Sequence, residues 1–353
     1  SWTKKTALPA PVMAKAVPAT APPALSPSNG LTEAQRFVAQ ARKILDDGDE
    51  MNRETYTLAE ELLKKAEAAD VTEASAWALH ARLSYYLTYF AFDRSSARFE
   101  ALRTQADRVV QLARGSLEAQ LADAQSRMAF GQDLPGVERQ LQALAAKFPN
   151  DWRVYRELGY CCMRLRKMAE SLEAVNRALQ LSPDNPRLNG DKVNVLVVSG
   201  RSAEAESGIA GILQSRSSAR LLAYEVYLKL TWSGDLAGAA AAVRGWPAWF
   251  LLEDRGIAHA GILALWSREP ARALEIVQKF SRDYIRDFFY TGPRAVLSAW
   301  AYEQAGHPES ARADWRIALQ VADRELSAAP GDPVALHWKA WALARLGENG
   351  GSG

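Results

Sequence analysis

Three arginines, Arg153, Arg156 and Arg164, are separated by three, eight and eleven residues, which brings them to roughly one face of a helix. A guanidinium pairs with carboxylates in forked geometry and stacks on planar groups, so this face, extended by Arg187, suits acidic ligands. Tyr160 stands among these arginines, and farther along the chain aromatic side chains take over: Tyr224, then Trp232, Trp266, Trp300 and Trp341. Trp and Tyr offer large contact area at low entropic cost. A surface graded from basic to aromatic would recognise a segment that is acidic at one end and apolar at the other. The chain has 11 tryptophans, so some must fill volume; Trp77, Trp246, Trp249 and Trp315 are expected in the core.

Residues that make metal sites or catalysts are scarce. His80, His259, His307 and His337 lie far apart with no His-Glu-x-x-His or paired-Cys pattern, so no metal and no cofactor is expected. Cys161 and Cys162 are neighbours on one predicted helix and point about 100° apart. They are expected as buried free thiols. Gly190, Gly200 and Gly208 are isolated, which gives no phosphate-cradling loop. The acidic pairs Asp46-Asp47 and Glu60-Glu61 are expected on solvated helix faces. An enzyme acting on carbohydrate through a Trp-lined groove would need paired carboxylates, and Glu225, Glu253 and Asp254 are the nearest candidates. No spacing singles them out, and no catalytic residue is assigned.

These side chains are carried by a cassette that recurs every 34 residues, starting at Trp152, Pro186, Arg220 and Asp254. Leu158, Cys162 and Leu165 share one face at helical spacing, as do Leu172, Val175 and Leu179. Residues 152–165 and 168–181 therefore read as two amphipathic helices, with Pro183 stopping the second. Gly200, Gly234 and Gly306 fall in the turn inside a cassette, where a left-handed residue closes a helix without a Cβ penalty. Ser171, Ala205, Ala239, Ala273 and Ala311 keep one place in the second helix small enough for close helix approach. Fixed periods of this length mean stacked units, each unable to bury its apolar face without a neighbour.

The first cassette, with Tyr155, Leu158, Gly159, Cys162, Ser171, Val175, Ala178 and Pro183, resembles the tetratricopeptide repeat. The resemblance implies an all-α, right-handed superhelical solenoid of antiparallel helix pairs, whose concave groove is lined by the first helix of each cassette. It places Arg153, Arg156, Tyr160, Arg164, Arg187, Asn194, Tyr224, Trp232, Trp266, Trp300 and Trp341 in that groove. The family's carboxylate clamp is matched only by Asn194, because Gly190 and Asp191 stand where a Lys and an amide are wanted. The chain departs from the pattern again at Ile212, Trp246 and Phe280, bulky residues in a place the family keeps small. They are expected to open the packing angle, and Pro247 in GWPAWF to distort its helix.

The organisation read from the sequence is a Pro/Ala-rich tether over 1–30, repeat-like helix pairs over 31–115, a solenoid over 116–347 and a tail or cloning linker over 348–353. About seven helix pairs are expected, with no strand within 152–285. WALHARLSYYLTYFAF in the N-terminal pairs looks similar to repeat regions that follow membrane anchors in bacterial signalling proteins, and Trp2, Lys4 and Lys5 suit a membrane interface. That leaves two compartments open, cytoplasmic or extracytoplasmic on a tether. The chain is 48% hydrophobic and 24% charged, as a globular protein requires, and its net charge of +2 demands neither nucleic acid nor an anionic surface. Basic residues fade after Arg187, so no nucleic-acid partner is expected. The reading is a non-enzymatic interaction scaffold, adaptor or sensory module for a protein or peptide segment.

Overall fold

A computed structural model describes residues 30–47, 53–90, 92–214, 218–287 and 289–347. Nearly all of the expected tether and the whole tail lie outside them. The described residues form 17 α-helices that run mostly as antiparallel pairs. The N-terminal pairs are α1 (Glu33–Asp47) with α2 (Arg53–Ala69), α3 (Ala74–Tyr89) with α4 (Ser96–Leu112), and α5 (Leu117–Ala129) with α6 (Leu134–Lys147). The regular array follows as α7 (Trp152–Arg164) with α8 (Met168–Leu181), α9 (Pro186–Val198) with α10 (Ser202–Leu213), α11 (Ala219–Thr231) with α12 (Leu236–Arg244), and α13 (Asp254–Trp266) with α14 (Pro270–Gln278). The last elements are α15 (Arg294–Gln304), the long α16 (Pro308–Ala328) and α17 (Pro333–Leu346). Eight pairs and a seventeenth helix replace the expected seven pairs.

The 34-residue frame dictates the turns. Gly200, Gly234 and Gly306 take φ of 73°, 63° and 76°, but the same place is held by Arg166 at 62° and Arg268 at 58°. The backbone bonds are the same at glycine and arginine. Arg166 N donates to Met163 O and Lys167 N to Cys162 O, as Gly200 N does to Val197 O and Arg201 N to Leu196 O. Each closes its first helix with the paired bonds of a Schellman turn. Within α7–α8 the pair is close: a Cβ on Gly159 would stand 2.7 Å from Val175 Cγ2, and Ser171 Oγ donates to Gly159 O at 2.8 Å. Ser171, Ala205, Ala239, Ala273 and Ala311 are all buried, as that close approach requires.

Of the three bulky residues, Ile212 lies within α10 as expected, and the other two act differently. Trp246 and Phe280 do not wedge the pairs apart, because α12 and α14 stop at Arg244 and Gln278, before reaching them. Both rings fold back from the following loops into the core shared by α11 to α17. Pro247 lies in the loop after α12, followed by a single 3-10 turn at Phe250–Leu252. The absence of strands within 152–285 is also corrected. Tyr284–Arg286 pairs antiparallel with Thr291–Pro293, and this ribbon occupies the insertion that lengthens the turn-to-turn spacing from 34 residues to the 38 between Arg268 and Gly306.

Odd-numbered helices touch their odd neighbours from α1 with α3 to α13 with α15, α7 and α9 meeting through the bonds of Arg156 and Tyr160 to Asp191, which makes them one inner layer. The layer curls far enough that α1 meets α9. No described helix is long and apolar enough to cross a membrane.

Candidate functional site

The middle of the inner layer is a buried polar network. Asp191 of α9 is its hub: Arg156 Nε of α7 lies 2.7 Å from Oδ2, while Arg220 Nη1 of α11 and the Tyr160 hydroxyl reach Oδ1 at 2.7 and 2.6 Å. Arg156 also donates to the Tyr86 hydroxyl of α3 and, at 3.3 Å, to Glu157, whose Oε1 accepts from Gln125 Nε2 of α5 at 3.0 Å. Five first helices are thus stitched together by side chains sealed from water. Burial alone would raise the Asp191 carboxyl, but the Arg156 and Arg220 guanidiniums and the Tyr160 hydroxyl outweigh it and hold it down at about 2. Glu157 is driven the other way, pushed up by burial that Arg156 only partly offsets.

The N-terminal helices cover this network. Tyr56 of α2 and Tyr86 of α3 flank Arg187, which donates to no carboxylate among the described residues: its Nη1 lies 3.5 Å from the Tyr56 hydroxyl, and its guanidinium carbon stands 5.5 Å from the Tyr86 ring centre. Farther on, Arg282 bridges Asp254 of α13, at 3.0 Å, and Glu54 at the start of α2, a residue 228 positions away in the chain. The first and last thirds of the solenoid therefore meet directly.

The expected site residues divide into three groups. Arg156, Arg187 and Tyr160 are buried, so the expectation that they present a solvent-facing basic surface is corrected. Arg153 is half-buried and held by Asp151 at 2.6 Å and Glu118 at 3.4 Å. Asn194 and Tyr224 are half-buried and bonded to each other at 2.9 Å. The exposed group is Arg164, which donates to Met128 O, together with Trp232, Trp266 and Trp341 at 58, 55 and 40% exposure. Trp300 belongs elsewhere: it packs among Trp315, Trp338 and Trp341 with ring centres 5.9 to 6.3 Å away. The four-residue slip after α13 puts Gln304, not Trp300, at the end of its helix in the place of Trp266.

Arg164, Val198, Trp232 and Trp266 are spaced by 34 residues and stand at the ends of α7, α9, α11 and α13, two residues before the left-handed turn. All four are exposed and form one row along the turn edge of the inner layer. Sequence reasoning missed Arg220, Tyr86 and the role of Asp191. The last had a plausible partner in Arg187, four residues earlier on the same helix face, and nothing local signals that it takes Arg156 and Arg220 instead. Asp46 and Glu60, expected on solvated faces, are also engaged inside: Asp46 meets Arg82 at 2.7 Å and Glu60 meets Arg98 at 3.1 Å.

Among the described residues no cluster of His, Cys, Asp or Glu could hold a metal. Both thiols are free and buried, and burial pushes Cys161 up to about 11 and Cys162 to about 12. Of the carboxylates considered for glycoside chemistry, Asp254 is taken by Arg282 and by the Arg286 backbone N–H at 3.1 Å.

Yeast Tom70 is similar to this chain over 92% of its residues and 66% of its own, at 12% identity and a TM-score of 0.60. In fold, the chain is a helical repeat protein of the tetratricopeptide type. Looser similarity links it to a tetratricopeptide repeat protein of Parabacteroides merdae, at 12% identity over 88% of this chain and 99% of that one, with a TM-score of 0.43. The pilF protein of Pseudomonas aeruginosa is similar at 15% identity over 60% of this chain and 89% of that one, with a TM-score of 0.38. No family model and no curated protein sequence matches this tetratricopeptide-type chain.

Proposed function

We propose that this chain is a non-enzymatic scaffold that binds a protein or peptide segment along the turn edge of its inner helices. The observation that carries the reading is the row Arg164, Val198, Trp232 and Trp266, exposed at a constant 34-residue spacing on successive first helices. Trp232 and Trp266 leave more than half of each residue in water. Large exposed aromatics on rigid elements are the usual anchors of an interface. Tetratricopeptide-type solenoids present extended surfaces of this kind, which supports a binding role over a catalytic one.

The segment recognised is apolar where it meets the tryptophans and acidic toward Arg164. Arg156 and Arg187 contribute by holding the helices in register, since neither can reach a partner. Capture of a partner from the source cell, repeated with Trp232→Ala and Trp266→Ala, tests the reading. Loss of capture with an unchanged melting temperature supports it. Capture that ignores both substitutions overturns it.

A further inference from the structure

A cavity lies between α1, α3, α5 and α7, on the inner layer beside the buried network, and four guanidiniums line it: Arg42, Arg82, Arg153 and Arg156. Only two carboxyl groups, Glu118 and Glu157, share its wall. Two of the arginines are fully committed. Arg153 is forked onto Asp151, with Nε at 2.9 Å from Oδ1 and Nη2 at 2.6 Å from Oδ2. Arg156 is spent on Asp191, Tyr86 and Glu157.

The other two are short of acceptors. Arg42 is half-buried and has no hydrogen-bond or ion-pair partner among the described residues. Arg82 is only 8% exposed; its Nη2 lies 2.7 Å from Asp46 Oδ1, yet too poorly aligned for a hydrogen bond, and its Nε has no partner. A buried charged donor without an acceptor is costly, and Arg82 Nε is one. Burial lowers the pKa of Arg42, and the neighbouring Arg82 guanidinium adds to it, while Asp46 and Glu118 offset part of the effect.

We propose that this cavity is a binding site for a small oxyanion, a carboxylate or phosphate group, held by Arg42 and by Arg82 Nε. The cavity leaves about 30 Å³ for the centres of water-sized groups, which admits one such group and no longer segment of chain. Guanidiniums are matched to it because their planar fork binds both carboxylate and phosphate oxygens in pairs. Glu157 does not bar the way: burial favours its protonated form, and its Oε2 has no partner in the protein. The site does not rest on the partner reading of the exposed tryptophans.

Calorimetric titration of the whole chain with inorganic phosphate and, separately, with acetate tests the site, at constant ionic strength held with chloride. Binding of either probe at one per chain is expected. The probe that binds identifies the source of the oxyanion. Arg42→Gln removes no hydrogen bond among the described residues, and with its melting temperature checked it is expected to weaken binding by about tenfold or more, the loss of one charge-assisted pair. Arg316→Gln, an exposed arginine on α16, is expected to leave it unchanged. If neither anion binds, or if Arg42→Gln binds as well as the unsubstituted chain, the proposal is overturned.

Discussion

Arg220 reaches Asp191 by lying across Gly190. Its Nη1 stands 2.7 Å from Asp191 Oδ1, and a Cβ on Gly190 would fall 2.7 Å from Arg220 Cδ and 3.0 Å from its Nε. The two residues that break the family's carboxylate clamp are therefore the two that build this chain's own ion-pair hub. A glycine clears the path and an aspartate receives two arginines.

Asp191→Asn leaves Arg156 and Arg220 buried without their counter-charge and is expected to cost about 3 to 5 kcal/mol. Thermal or denaturant unfolding measures it. The carboxyl is held at about 2 in the fold against an ordinary value near 4. The stability it lends is complete above the ordinary value and disappears as pH falls through about 2. The wild-type chain should lose stability over that window more steeply than Asp191→Asn. Parallel acid curves would show that the hub is not ionised as described.

The two buried histidines should respond to pH in opposite senses. Burial disfavours the charged form of His80, but Glu60 and Glu67, the latter 2.6 Å from Nδ1, outweigh it and raise its pKa. Its contribution is present below the ordinary value of about 6.5 and lost as pH rises through the raised one. His259 is lowered by burial, which Asp287 at 3.8 Å only partly offsets, so its contribution is present above about 6.5 and lost as pH falls through the lowered value. Melting temperature followed from pH 5 to 8 should decline on the alkaline side through His80 and on the acid side through His259. His80→Gln should flatten only the first, and His259→Phe only the second.

The repeat frame was legible because it is local and periodic: Gly200 and Gly234 mark turns, and Ala239 and Ala273 mark contact places, at positions any copy can be compared with. Arg166 and Arg268 were invisible as turn residues, since nothing about arginine announces a positive φ. The basic face was misread for a related reason. Helical spacing puts Arg153, Arg156 and Arg164 on roughly one face, but the exposure of each depends on distant partners: Tyr86, 70 positions away, covers Arg156, and Tyr56, 131 positions away, covers Arg187. Closure of that kind is a property of the superhelix and leaves no mark within a single cassette.

Arg166 is exposed and takes φ of 62°, so its side chain gains nothing by standing in a left-handed turn. That conformation costs a non-glycine residue about 1 kcal/mol. Arg166→Gly is expected to stabilise by up to about that amount, offset in part by the greater freedom of glycine in the unfolded chain. Gly200→Ala, at the equivalent turn, is expected to destabilise by about 1 kcal/mol. Matched chemical unfolding curves decide it; a destabilised Arg166→Gly would mean that the arginine side chain holds the turn.

The tryptophans provide the sharpest division between binding and packing. Trp315 is 1% exposed, and its indole N–H donates to Glu303 at 2.8 Å, so Trp315→Ala is expected to cost about 3 to 5 kcal/mol whether or not a partner exists. Trp232 is the residue that closes α11, more than half exposed, and Trp232→Ala should change stability by no more than about 0.5 kcal/mol. Trp266 touches Phe289 edge-on at 6.0 Å, so a small additional loss is expected there, about 0.5 to 1.5 kcal/mol for the aromatic contact. Unfolding measurements on the three variants give the packing term alone, and affinity for a captured partner gives the binding term. Anchors of an interface should lose about 2 kcal/mol or more in affinity at Trp232 and Trp266 while their stability hardly moves. If stability falls at all three by similar amounts, the turn-edge row is part of the core and the binding surface lies elsewhere.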